Sequence, residues 1–112
     1  MDVSDAALAA ADLTLLAHAA ELKLVRQVAE WPREVDIAAR SNEPHRIAFY
    51  LFELASDFHA LWNRGHDDAA LRFIQDGDPA TSQAKIALCR ATAVVIAAAL
   101  GILGVTPANE MR

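Results

Sequence analysis

Glycine and proline are scarce in this chain, at four each in 112 residues, and aromatic residues make up only 6% of it. Cysteine occurs once, at Cys89, which excludes an internal disulfide and a cysteine-based zinc site. Positive charge is also in deficit: 10 Lys plus Arg stand against 15 Asp plus Glu, a formal charge of −5. That balance argues against a bulk electrostatic grip on nucleic acid or on an anionic membrane. The start, Met1-Asp2-Val3-Ser4-Asp5, lacks the basic region of a secretory signal. No glycine-rich phosphate loop, nucleophile in a known context or metal-spaced cluster is present, so no catalytic, cofactor-binding or metal-binding residue is assigned.

What is abundant is alanine, at 25 positions, in a chain that is 54% hydrophobic. Alanine is the best helix former and a poor strand former. Length and composition therefore point to one all-α domain over residues 1–112, reduced, soluble and cytoplasmic. One stretch imitates a membrane span. Residues Ala91 to Val105 carry no charge, but 15 residues fall short of a hydrocarbon core, which needs roughly 18 to 20. A buried core helix is the reading adopted.

The pattern along the chain is helical almost throughout. Ser4 caps a short helix over Asp5–Ala11, and Asp12-Leu13-Thr14 is a connector. From about Ala17, Leu22, Val25, Val28 and Ala29 recur at helical steps, and the helix ends at Trp31, ahead of Pro32. Pro32 suits the first turn of a second helix with Val35, Ala38 and Ala39 inside, closed by Ser41-Asn42. A third follows Asn42-Glu43-Pro44 with the stripe Ile47, Tyr50, Leu51, Leu54, Phe58 and Leu61, ended or bent at Gly65. After a polar loop, Asp78-Pro79 opens the last helix, with Ile86, Cys89, Ala93, Ile96, Leu100 and Leu103 inside and a stop at Gly104. Short connections and one apolar stripe per helix predict an antiparallel helical bundle of three to four main helices.

Polar residues offer few chemical constellations. His45, His59 and His66 share a register at steps of 14 and 7 residues. On one unbroken helix His59 and His66 would lie about 10 Å apart, too far for one metal, so they read as a polar stripe. Arg46, Glu53 and Asp57 read as a solvated face, and Cys89 as a core thiol. The sharper feature is Trp62-Asn63-Arg64 with His66 beside Gly65, at the end of the third helix. An indole, an amide, a guanidinium and an imidazole there suit stacking on, and hydrogen bonding to, an unpaired base. A tryptophan at the core edge is the more ordinary reading, and Asp67 and Asp68 leave the local charge barely positive.

Four blocks, in order, carry a resemblance. They are Glu21–Pro32, Glu43–Ala55, Phe58–Asn63 and Ala84–Thr92, followed by the ending Leu103-Gly104-Val105-Thr106-Pro107 with Glu110-Met111. Together they resemble the C-terminal, DALR-type anticodon-binding domain of bacterial arginyl-tRNA synthetase, across nearly the whole chain, from Leu15 to Arg112. The loop Leu71-Arg72-Phe73-Ile74 is also similar to bacterial members. The resemblance implies a helical bundle that docks the anticodon stem-loop of tRNA(Arg), with no DNA or membrane partner. A separate class I catalytic domain of the same synthetase would attach arginine using ATP and Mg2+. Trp62 matches the family's usual tyrosine near the splayed anticodon bases, keeping a stacking face but losing the hydroxyl. His66 matches a second contact position, and Met111 a methionine that packs on the anticodon. Leu61 stands where phenylalanine is usual, a change in the core.

The synthetase's His-Ile-Gly-His-like and Lys-Met-Ser-Lys-like signatures are absent, so this segment is not expected to be catalytic. A Tyr-Ala-His-Ala-Arg-like helix that opens the family's domain is absent too, so the chain is expected to be an excised C-terminal piece of a longer synthetase. The alternative is a helical protein-interaction or oligomerisation module without RNA binding.

Overall fold

The computed structural model describes residues 2–104, and the Met111 expectation lies outside the described residues. Five α-helices succeed one another: α1 (Asp5–Ala9), α2 (Ala19–Ala29), α3 (Trp31–Ser41), α4 (His45–Asp67) and α5 (Pro79–Ile102). Two single 3-10 turns, Leu13–Leu15 and Ala69–Leu71, join them. Among the described residues there is no strand, as the alanine-rich composition implies.

Side-chain caps explain most of the boundaries. Ser4 Oγ accepts from Ala7 N–H at 3.3 Å, so α1 starts as expected, though it stops at Ala9 and not Ala11. The supposed connector is a 3-10 turn, because the Asp12 carboxylate accepts from Thr14 N–H at 3.0 Å. His18 caps α2, its Nδ1 accepting from Ala20 N–H at 3.0 Å, while Glu21 reaches back to His18 N–H at 3.3 Å. Pro32 has no N–H to give the Val28 carbonyl, so α2 ends at Ala29. Trp31 opens α3 and does not close α2. Asn42 then closes α3 in the left-handed region at φ 53°, tolerable for asparagine. Asp78 accepts from Thr81 N–H at 3.1 Å and Thr81 O–H at 2.7 Å, with Pro79 in the first turn of α5. These two bonds hold the Asp78 carboxyl below its usual range.

The central element is α4, whose predicted stripe is the core: Ile47, Tyr50, Leu54 and Leu61 are buried, with Leu51 and Phe58 packed against them. Helix α2 runs antiparallel to it, since Gln27 meets Glu53 at 3.3 Å and Lys23 meets Asp57 at 3.2 Å. The Tyr50 hydroxyl donates to the Gln27 carbonyl on the same seam. Burial, and then the charges of Glu34 and Glu30, push that phenol up to about 12. Helix α5 is antiparallel to α4 as well: Ile47 near the start of α4 shares a cluster with Ala99 near the end of α5.

The α5 register differs from expectation by one position and the α2 stripe in part. In α2 Val25 and Val28 pack against the core as expected, but Glu21 and Leu24 are buried while Leu22 and Ala29 are exposed. In α5 the inward residues are Ser82, Ala84, Lys85, Leu88, Thr92, Val95 and Ala99, while the expected Ala93 is exposed and Ile86, Cys89, Ile96, Leu100 and Leu103 are only partly buried. The cause is polar. Lys85 Nζ donates to Glu21 Oε2 at 2.6 Å, and both side chains are almost wholly buried. Thr92 is also inside, its hydroxyl bonded to the Leu88 carbonyl at 2.9 Å. A helix that is apolar nearly all round has no polar side to set the phase.

At 24 residues, α5 is longer than the uncharged run and is long and apolar enough to span a membrane by length and composition. In the bundle its Lys85 and Arg90 are instead bound to Glu21 of α2 and Asp5 of α1. Arg46, Glu53 and Asp57 are likewise no free solvated face. Arg46 meets Glu34 of α3 at 3.7 Å, and the two carboxylates hold Gln27 and Lys23 of α2.

Two substitutions test this packing. Leu54→Ala should cost about 2–5 kcal/mol in chemical denaturation, and a loss under ~1 kcal/mol would contradict the central place of α4. Lys85→Ala should cost about 3–5 kcal/mol by leaving a buried carboxylate unpaired. The double variant Glu21→Leu/Lys85→Met should recover most of that loss, and equal instability of the two would contradict an ion-pair origin.

Candidate nucleic-acid interface

The C-terminal end of α4 is where chemistry gathers. Leu61 is fully buried, and Trp62, one residue round the helix, stands at the border of the core with half of its surface exposed. His66 is one turn further, its ring edge-on to the indole with centroids 6.5 Å apart. Gly65 does not end the helix there; α4 continues to Asp67, and Gly65 is buried under the chain that follows. A methyl group at Gly65 would touch the Leu71 carbonyl at 3.5 Å and Arg72 Cα at 3.6 Å, so the returning loop lies directly on the helix.

That loop brings residues the composition did not single out as site residues. Phe73 lies against Trp62 at 5.3 Å between centroids, tilted 42°, and stacks on Phe58 at 5.9 Å and 22°. The three rings form a column that runs from the core to the surface, with Trp62 at its outer end. Between α4 and the loop is a cleft of about 370 Å³ lined by Trp62, Gly65, His66, Leu71, Arg72, Phe73 and Ile74. The cue was an apolar and cationic run, Leu71-Arg72-Phe73-Ile74, inside an otherwise aspartate-rich loop.

The structure divides the predicted site residues. Trp62 and His66 share the cleft. Arg64 is on another side of α4, beside Ala19, Lys23, Asp57 and Ala60, because two residues turn an α-helix by about 200°. Asn63 is exposed and does not line the cleft. The three histidines of α4 are exposed and separate. His45 meets Glu43 at 3.3 Å, His59 lies edge-on to Phe58, and His66 lies by Trp62. Among the described residues no three metal-ligating side chains converge. Cys89 is half-buried, and burial pushes its thiol up, which suits packing and not reactivity.

The electrostatics explain what kind of contact the cleft offers. The helix end carries partial negative charge from its free carbonyls, and the Arg72 guanidinium, bonded to the Gly65 carbonyl at 2.8 Å, offsets it on the cleft side. The Asp68 carboxylate is turned onto Ala70 N–H at 3.0 Å. What the cleft presents is a π-face, an imidazole and one guanidinium, a set suited to an unstacked base and its backbone.

Comparison with known proteins gives a consistent picture. The family profile described as the DALR anticodon binding domain matches residues 3–111. The chain is 73% identical over all 112 residues to the arginine–tRNA ligase of Ruegeria pomeroyi and 67% identical to that of Paracoccus denitrificans. It is 69% identical over 105 residues, or 94% of the chain, to that of Roseobacter denitrificans. The chain spans only 19% of the length of the first two relatives and 18% of the third. No solved structure matches it.

Proposed function

The chain belongs to the DALR anticodon-binding domain family, and from that premise we propose that it docks the anticodon stem-loop of tRNA(Arg) at the Trp62 end of α4. The observation that carries this reading is the half-exposed indole, backed by Phe73 and flanked by His66. A large aromatic whose ring is fixed from behind and open in front is the platform on which a splayed base stacks. In this reading Asn63 and Arg64, both exposed but outside the cleft, meet the stem or the loop backbone, and Met111 is a further proposed contact.

The arginine specificity follows the names of the relatives, each an arginine–tRNA ligase. In this reading residues 1–112 form one anticodon-binding domain that serves cytoplasmic translation, and a class I catalytic domain of the same synthetase attaches arginine. ATP and Mg2+ serve that catalytic step. The donor set here does not fit them, since no glycine-rich phosphate loop occurs and no three metal ligands converge among the described residues. The protein-interaction reading has its own support on a different surface. An apolar groove between α1, α2 and α5 includes Leu8, Leu13, Val25, Val28 and Ala91, and Val94 and Ile102 of α5 are exposed. These surfaces suit contact with the catalytic domain, while the Trp62 end faces RNA.

Trp62→Ala should weaken binding of the anticodon stem-loop by about 1–3 kcal/mol, the worth of one base on an aromatic platform. In the whole synthetase, arginine activation with ATP should be unchanged. Unaltered stem-loop binding, or equal loss of both activities, would overturn the reading.

A further inference from the structure

In this acidic chain most basic side chains are already neutralised. Among the described residues Lys23, Arg33, Arg40, Arg46, Lys85 and Arg90 each lie within 4.0 Å of a carboxylate. Arg26, Arg64 and Arg72 make no such pair, and of these three only Arg72 borders the aromatic cleft. Its exposed side chain is nevertheless fixed. Nε donates to the Gly65 carbonyl at 2.8 Å, satisfying one of the free carbonyls at the end of α4. Holding Nε orients the planar guanidinium and leaves its two Nη groups as donors.

The loop that carries Arg72 is pinned at several points without a backbone ladder. Lys85 Nζ donates to the Ala70 carbonyl at 2.9 Å, and Gln75 Nε2 to the Ala69 and Arg72 carbonyls at 2.8 and 2.7 Å. Buried Ser82 accepts from Gln75 N–H at 2.7 Å. So a loop with rigid backbone presents an unpaired cation and the exposed Ile74 beside an aromatic platform. Ordering such a cation before the ligand arrives lowers the entropic cost of binding.

We propose that Arg72 is a phosphodiester contact of this site, its Nη groups holding a backbone phosphate of the unpaired RNA strand whose base lies on Trp62. The assignment rests on the anticodon-docking reading and adds to it a cation at the cleft that no ion pair neutralises. The contact is to the backbone, so it contributes affinity and position without reading sequence.

The test uses the 112-residue chain with a labelled anticodon stem-loop of tRNA(Arg), and a second loop with the central anticodon base substituted, titrated over a range of salt. Arg72→Gln should weaken binding to both loops alike, by about tenfold, and flatten the logarithmic salt slope by roughly 0.7–1. Arg72→Lys should keep the slope while losing part of the affinity, because the charge remains and the oriented fork does not. Wild-type affinity and slope in Arg72→Gln would overturn the assignment, as would a loss confined to the cognate loop. Equal losses in both variants with an unchanged slope would show a structural role and also overturn it. Absence of salt-dependent binding by the wild-type chain would instead overturn the docking reading beneath it.

Discussion

Lys85 is the point at which three separate parts of this fold meet. From the first half of α5 its ammonium group reaches Glu21 at the start of α2 and the Ala70 carbonyl in the loop after α4. Glu21 in turn holds the N–H of His18, so the start of α2 is tied into the same network. A buried ion pair is weak evidence of net stability, yet removing one partner is costly, which makes such pairs suited to fixing register. Here it fixes the phase of α5, which its apolar sequence leaves open, and it anchors the loop that forms one wall of the cleft.

The distribution of charge follows from a similar economy. Carboxylates on α1, α2, α3 and α4 take up most of the basic residues, and several of these pairs run between helices. The negative total is therefore compatible with RNA binding, because the cleft itself is lined by a cation outside any ion pair and by an aromatic column, with Asp67 and Asp68 outside its lining. Recognition of a single-stranded loop depends on stacking more than a bulk positive field would suggest. The apolar groove on the α1 and α5 side is a different kind of surface, with chemistry that suits protein.

Much of the architecture was legible in the sequence. The α4 stripe from Ile47 to Leu61 faces inward as expected, with Leu51 and Phe58 partly buried, because no buried charge on that helix shifts its phase, and the Asp78-Pro79 start was right because its cap chemistry is local. The phase of α5 was displaced and that of α2 only half right, because Lys85 and Glu21 are buried and periodicity assigns charged residues to the outside. Gly65 was misjudged as a breaker because its reason for being small, the returning loop at 3.5 Å, lies in tertiary structure. Trp62 and His66 were foreseeable as one-turn neighbours, whereas Arg64 was grouped with them by adjacency along the chain. Phe73 and Arg72 left only a compositional cue in the run Leu71–Ile74, since it is the fold that brings that loop back against α4.

Whether RNA meets the α4 end or the α1–α5 groove is tested most directly by amide chemical-shift mapping during addition of the tRNA(Arg) anticodon stem-loop. The predicted result is a set of perturbations concentrated on residues 62–74, with the amides of Leu8, Ala87 and Ala91 unchanged. Perturbations confined to those groove residues, with 62–74 silent, would contradict it.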